Sequence, residues 1–261
     1  MKRDLTVVKL GGSLMESQPQ REKALEAVAA RFTAGERLIL VHGGGKRIDA
    51  LAGRLGLPQR TCHGLRVTDA ATLEVVVATL AGIVNKTLVA ELHARGVSAV
   101  GLCGADGATL PAAFHPPVAG TDLGFVGQVG APDARLLQLL CAESFLPVVG
   151  SVALGPDSTL LNVNADAAAA AVAVGLGARR LVFLTDVEGV LDENGERCEA
   201  LSAQAAQRLV ETAVVSGGMR PKLGAALEAL ARGVAEVVIA GPNRHARALG
   251  RGTGGTHLVA A

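Results

Sequence analysis

Six short runs of Val, Leu and Ile, at 5–10, 37–41, 99–102, 146–150, 180–185 and 236–240, recur along the chain and are nearly uninterrupted by polar residues. Strands of that kind are buried on both faces, the condition met in parallel sheets with helices packed above and below. The intervening stretches supply those helices, since 21–32, 46–55, 69–95, 132–144, 165–176, 202–211 and 219–232 carry apolar residues at helical spacing. The alternation predicts an α/β fold, a three-layer αβα sandwich around a mainly parallel central sheet. Thr68 and Ser202 stand where the N-caps of two of these helices belong.

A chain of 261 residues can wrap one such extended sheet as a single continuous domain. The softest division falls at 175–179, giving an N-terminal lobe over 1–175 and a C-terminal lobe over 176–261. The segment 110–130 departs from the pattern: Pro111, Pro116, Pro117, Gly120, Gly124, Gly127 and Gly130 interrupt it too often for helix, so a β-hairpin excursion over a pocket is expected. Asp192-Glu193-Asn194-Gly195 is a strong turn signal.

With five Phe and neither Tyr nor Trp, the core has to be aliphatic, and the chain lacks the stacking platforms on which single-stranded nucleic acid binds. Its 25 basic and 24 acidic residues are scattered, so no patch is built for nucleic acid or anionic lipid. Cys62, Cys103, Cys141 and Cys198 fall in no metal-ligand spacing, and no other all-protein metal site is evident. Reduced thiols, the absence of a signal segment and the absence of an uncharged run long enough to span a bilayer predict a soluble, cytoplasmic protein.

Four polar constellations carry chemistry. Lys9-Leu10-Gly11-Gly12-Ser13 sets a lysine and paired glycines at the end of the first strand, where open α/β sheets bind ligands. Such a turn brings backbone N–H groups and a cation to a phosphate, although taken alone it is equally a Gly-Gly turn beside a solvated lysine. His42-Gly43-Gly44-Gly45 repeats the arrangement before a helix, whose N-terminus favours an anion. In Asn162-Val163-Asn164-Ala165-Asp166 the three polar residues alternate and share one face if extended, with Asp166 at a helix start, either as ligand or as plain cap. Ser216-Gly217-Gly218-Met219-Arg220-Pro221-Lys222 puts a second lysine in the first turn of a helix, where a cation is unfavourable, which points to a ligand. No P-loop or dinucleotide fingerprint is present.

Taken in order, KLGGS, HGGGKRIDAL, GLRVTD, NKTLV, GFVGQV, NVNADAAA, LTDVEGVL, GGMRPK and GGTHL make the chain resemble the amino acid kinase family from Lys9 to Leu258. Within the family it is similar to the members that phosphorylate the side-chain carboxylate of N-acetyl-L-glutamate on the route to arginine. The resemblance implies the amino acid kinase-like fold, with Lys9 and Lys222 as catalytic lysines and Asp166 as the carboxylate that organises them. It implies substrate contacts from the Gly44 and Gly45 amides, from Arg66 to the α-carboxylate, and from Asn162 and Asn164. It implies ATP, with Mg²⁺ carried by the nucleotide, against Gly11, Gly12, Ser13, Thr185, Asp186, Val187, Gly189, Val190, Leu191, Val214, Val215, Ser216 and Gly217. Arginine-inhibited hexameric relatives carry an extra N-terminal helix, whereas Met1 to Asp4 alone precede the first strand here, so an arginine-insensitive homodimer is expected. A sister kinase acting on N-acetylaminoadipate or a carrier-bound glutamate, and a non-catalytic nucleotide-binding module, stay open as alternatives.

Overall fold

The computed structural model describes residues 4–212, 214, 215, 217–250, 252 and 254–260. From the N-terminus run β1 (Leu5–Leu10), α1 (Gln18–Thr33), β2 (Arg37–His42), α2 (Gly45–Arg54), β3 (Thr61–Cys62), β4 (Leu65–Arg66), α3 (Ala70–Val77), α4 (Asn85–His93) and β5 (Ala99–Cys103). The middle comprises β6 (Ala112–Phe114), β7 (Val126–Val129), α5 (Arg135–Ala142), β8 (Leu146–Gly150), β9 (Val152–Leu154), β10 (Leu160–Val163) and α6 (Ala165–Gly175). The last part comprises β11 (Arg180–Leu184), β12 (Ala200–Ser202), α7 (Ala203–Glu211), α8 (Met219–Ala231), β13 (Glu236–Ala240), α9 (His245–Leu249) and β14 (Thr256–Val259).

The main sheet has the order β12-β14-β13-β11-β1-β2-β8-β5 and is parallel except where β14 meets β13. Successive side chains of its strands enter opposite layers, as the two-residue period requires. Val7, Ile39 and Leu181 join the core beneath α5, α6 and α8, whereas Val8, Leu40 and Val182 join the one beneath α1, α4 and α9. The expected αβα sandwich is therefore present, with six of its strands at the six aliphatic runs. The short strands β12, at the edge, and β14, beside it, escape a search for continuous apolar runs because they lie partly exposed.

A smaller sheet, β6-β7-β10-β9, holds the expected hairpin: β6 and β7 pair antiparallel, and β7 continues onto β10. The 69–95 helix is not one regular α-helix, because a π-helical stretch, Ala78–Val84, joins α3 to α4. By length and hydropathy the span Ala70–His93 would suffice to cross a bilayer. Val76, Leu80, Leu88 and Leu92 are buried in the protein core, and Glu74, Lys86 and Glu91 interrupt the span. Thr68 does not cap this helix: the Asp69 carboxylate accepts from the Thr72 N–H, while the Thr68 hydroxyl turns back to the Arg66 carbonyl. Ser202 does cap α7, accepting from the Ala205 N–H.

β1 sits centrally, with β2 on one side and β11 on the other. The direction in which the chain lays down strands reverses there, and a crevice opens outside the strand carboxyl ends at such a point. The chain segments leaving β1, β2, β8 and β11 all surround that crevice.

Candidate active site

Lys9 is the penultimate residue of β1 and Lys222 lies in the first turn of α8, more than two hundred positions apart in sequence. Both reach the carboxylate of Asp166: Lys9 Nζ lies 2.7 Å and Lys222 Nζ 3.2 Å from Oδ1. All three are almost dry, at 6%, 6% and 7% exposure. Asp166 is free for this because it is not the cap of α6. Asn164 is, its side-chain oxygen accepting from the N–H groups of Asp166 and Ala167.

The charges do not balance. Within this three-residue cluster two ammonium groups share one carboxylate with little water to screen them, and the next carboxylate, Asp186 across the larger cavity, also attracts Lys222. Burial raises the Asp166 carboxyl, but the attraction of Lys9 and then Lys222 outweighs this and holds it below the ordinary value. Lys222 is pushed down to about 8, chiefly by burial and next by the Lys9 charge, against the pull of Asp166. Its ammonium also lies 5.2 Å from the centroid of the Phe183 ring. A bound anion would complete the electrostatics.

Two cavities meet at this cluster. One, of about 230 Å³, is lined by Gly44, Gly45, Arg66, Ser151, Asn162 and Asn164. The other, of about 430 Å³, is lined by Gly11, Ser13, Thr185, Asp186, Val187 and Lys222. Lys9, Gly12 and Asp166 face both. The two glycine turns converge at the junction, for a Cβ built on Gly12 would lie 3.5 Å from the Gly45 nitrogen and 3.9 Å from that of Gly44. Gly11 donates its N–H to the Leu184 carbonyl at 2.8 Å, tying the first turn to β11.

In the smaller cavity Arg66 is oriented from two sides. Its Nη1 pairs with Asp49 Oδ1 of α2 at 2.6 Å and its Nη2 donates to the Gly45 carbonyl at 3.2 Å. The Asn162 amide donates to the Thr68 hydroxyl at 3.1 Å. In the larger cavity the Thr185 hydroxyl donates to the Asp186 carboxylate at 3.0 Å.

The remaining residues expected at the nucleotide are distributed differently. Val190 is wholly buried, with its N–H donated to the Thr256 hydroxyl, and Gly189 packs toward Thr256 and Arg197. Val215 is buried in the core, while Leu191 and Val214 leave apolar surface exposed. Gly217 adopts a left-handed turn conformation at φ 55° and does not line the larger cavity, whose wall on that side is Gly218 and Met219. Ser216 lies outside the described residues.

The sequence model of the amino acid kinase family matches residues 4–241. The chain belongs to the amino acid kinase family. It is 44% identical to an acetylglutamate kinase of Brucella anthropi over 243 residues, 89% of this chain and 82% of that protein. It superposes on smu.665 of Streptococcus mutans with TM-score 0.84 and 31% identity, covering 98% of both chains. It also superposes on N-acetylglutamate synthase of Neisseria gonorrhoeae, a structure complexed with coenzyme A and N-acetyl-glutamate, with TM-score 0.85 and 28% identity; 98% of this chain and 59% of that one are covered.

Several residues of this amino acid kinase were given no role by motif reading. Asp49 holds Arg66, Ser151 sits buried at the smaller cavity, and His42 and Asn85 form a buried pair behind the second glycine turn. His42 and Asn85 stand inside HGGGKRIDAL and NKTLV, so the signal was a polar residue on an otherwise apolar strand or helix face.

Proposed function

We propose that the chain is an acetylglutamate kinase: it transfers the γ-phosphoryl group of ATP to the side-chain carboxylate of N-acetyl-L-glutamate, a step of arginine biosynthesis. The relatives at 41–44% identity support this substrate. One geometric observation carries the reading. Two cavities share Lys9, Gly12 and Asp166 at a nearly dry cluster with an excess positive charge.

In this reading the larger cavity takes the nucleotide and the smaller one the acceptor. Bringing a carboxylate to a phosphoryl group sets two anions against each other, so the enzyme has to neutralise charge and align the reactants. Lys9 and Lys222 supply the cations, and Asp166 holds them apart and pointed. The acceptor carboxylate is already ionised at neutral pH, so no general base is required. Arg66, pre-aimed by Asp49, offers a guanidinium fork to the α-carboxylate, and Asn162 and Asn164 face the remainder of the acceptor. Gly11, Gly12 and Ser13 line the phosphate end, while the apolar side chains of Val187, Leu191 and Val214 offer surface for the base.

Among the described residues no group of three or more His, Cys, Asp or Glu could hold a metal. Asp166 is committed to two lysines, which leaves Asp186 as the carboxylate of the larger cavity. That donor set suits a magnesium ion brought in on the nucleotide phosphates, where it offsets charge on the transferred group. The reading includes an acceptor lobe over 1–175, a nucleotide lobe over 176–261, a cytoplasmic setting and a homodimer.

The test uses purified protein, MgATP and hydroxylamine to trap the acyl phosphate, with N-acetylglutamate, N-acetylaminoadipate, glutamate and aspartate as acceptors. Hydroxamate should form with N-acetylglutamate in preference to the other three. Preference for N-acetylaminoadipate, or no product with any acceptor, would overturn the assignment.

A further inference from the structure

His42 ends β2, one residue before the glycines whose N–H groups line the smaller cavity, and it is fully buried. Its Nδ1 lies 3.1 Å from the Gly43 carbonyl oxygen and its Nε2 lies 3.1 Å from Asn85 Nδ2. The surroundings fix which nitrogen carries the proton. Asn85 Nδ2 also faces the Leu102 and Val148 carbonyls at 3.2 and 2.9 Å, so its two hydrogens are shared among three acceptors, and Asn85 Oδ1 accepts from Lys86 Nζ at 3.0 Å. The amide is therefore oriented with its nitrogen toward the imidazole, so Nε2 accepts and Nδ1–H donates to Gly43.

The space for this pair is carved out of the sheet. A Cβ on Gly101 of β5 would land on Asn85 Oδ1, and one on Gly150 of β8 would come within 3.5 Å of His42 Cε1. The π-helical stretch just before Asn85 also grips the next glycine, for a Cβ on Gly44 would meet Leu80 Cδ2 at 3.0 Å and Val84 Cγ2 at 3.3 Å.

Peptide planarity turns this into a statement about the site. The carbonyl of Gly43 and the N–H of Gly44 belong to one trans peptide and point in opposite directions. Holding the carbonyl toward the imidazole aims the N–H away from it. As the first groups of α2, the Gly44 and Gly45 N–H have no partner in the helix ladder.

We propose that His42 and Asn85 are positioning residues, a neutral donor–acceptor pair that locks the Gly43–Gly44 peptide and so aims the Gly44 N–H at the reacting oxygens. The proposal rests on the smaller cavity being the acceptor site of a carboxylate kinase. It adds a polar support that touches no substrate and that works by fixing a backbone dipole before the reactants arrive.

The test compares His42→Asn with His42→Gln in the full chain. An asparagine amide can sit near the Nδ1 position and still donate to Gly43, whereas a glutamine amide reaches the Nε2 position and cannot. The wild type is assayed first by hydroxamate formation with N-acetylglutamate, and its inactivity would sink the proposed function rather than this inference. With an active wild type, His42→Asn should keep kcat within about threefold, while His42→Gln should lose about tenfold or more, a misdirected donor costing less than the ~10²–10³-fold of one removed outright. KM for MgATP should stay near the wild-type value in both. His42→Leu, if it folds, should match His42→Gln. Equal kcat in the Asn and Gln variants, or losses that follow melting temperature instead of the position of the amide, would overturn the proposal.

Discussion

Asp166 satisfies two ammonium groups at once, and removing different members of the cluster should have opposite consequences for stability. Asp166→Asn leaves Lys9 and Lys222 buried without a counter-charge and should cost about 3–5 kcal/mol in urea denaturation. Lys222→Met leaves Asp166 matched one to one with Lys9 and should hold or raise stability while reducing kcat by orders of magnitude. A Lys222→Met protein that is both unstable and active would refute the charge account. The pH dependence follows from the same residue. The folded-state value of about 8, against 10.5 for a free lysine, means that between those limits the unfolded chain binds the extra proton. Stability should therefore rise through that window as pH increases, while kcat falls above about pH 8 because the ammonium is lost. Lys9, Lys222 and Asp166 were legible in the sequence because each stands in a motif, and Lys222 also stands against its local preference in the first turn of a helix. Asp49, His42 and Asn85 were not, since each derives its role from a partner that only the fold supplies.

Among the elements, α6 shows how a cap releases a functional residue. The Asn164 oxygen takes the N–H groups of Asp166 and Ala167, and Asn164→Ala should cost about 1 kcal/mol, with Asn164→Asp recovering most of it, as read by chemical denaturation. Equal stability of the Ala variant and the wild type would show that the cap contributes nothing. The main strands were readable because burial on both faces demands continuous aliphatic runs. Short or half-exposed strands such as β9, β12 and β14 leave no such trace, and the π-helical stretch is silent because its apolar spacing differs from that of an α-helix by a single position.

At the scale of the whole molecule, the site exists because β1 lies between β2 and β11, so that both halves of the chain deliver a lysine to one crevice. An anionic nucleotide should then stabilise the entire fold. A non-hydrolysable ATP analogue at about 100 times its Kd should add about 2.7 kcal/mol, seen as a rise in melting temperature that Lys9→Ala diminishes. No shift in the wild type would mean that the larger cavity is not a nucleotide site.

A π-helical turn is an α-turn with one residue too many, and Ala78–Val84 lies directly upstream of Asn85. Winding the same residues as a regular α-helix, with none removed, would rotate everything beyond the stretch by about 100°. Asn85 would swing off His42, and Leu88 and Leu92 would leave the core. The wider turn thus absorbs a surplus residue, and a chain that wound the same residues into a uniform α-helix would gain a tidier ladder and forfeit the alignment of its acceptor side.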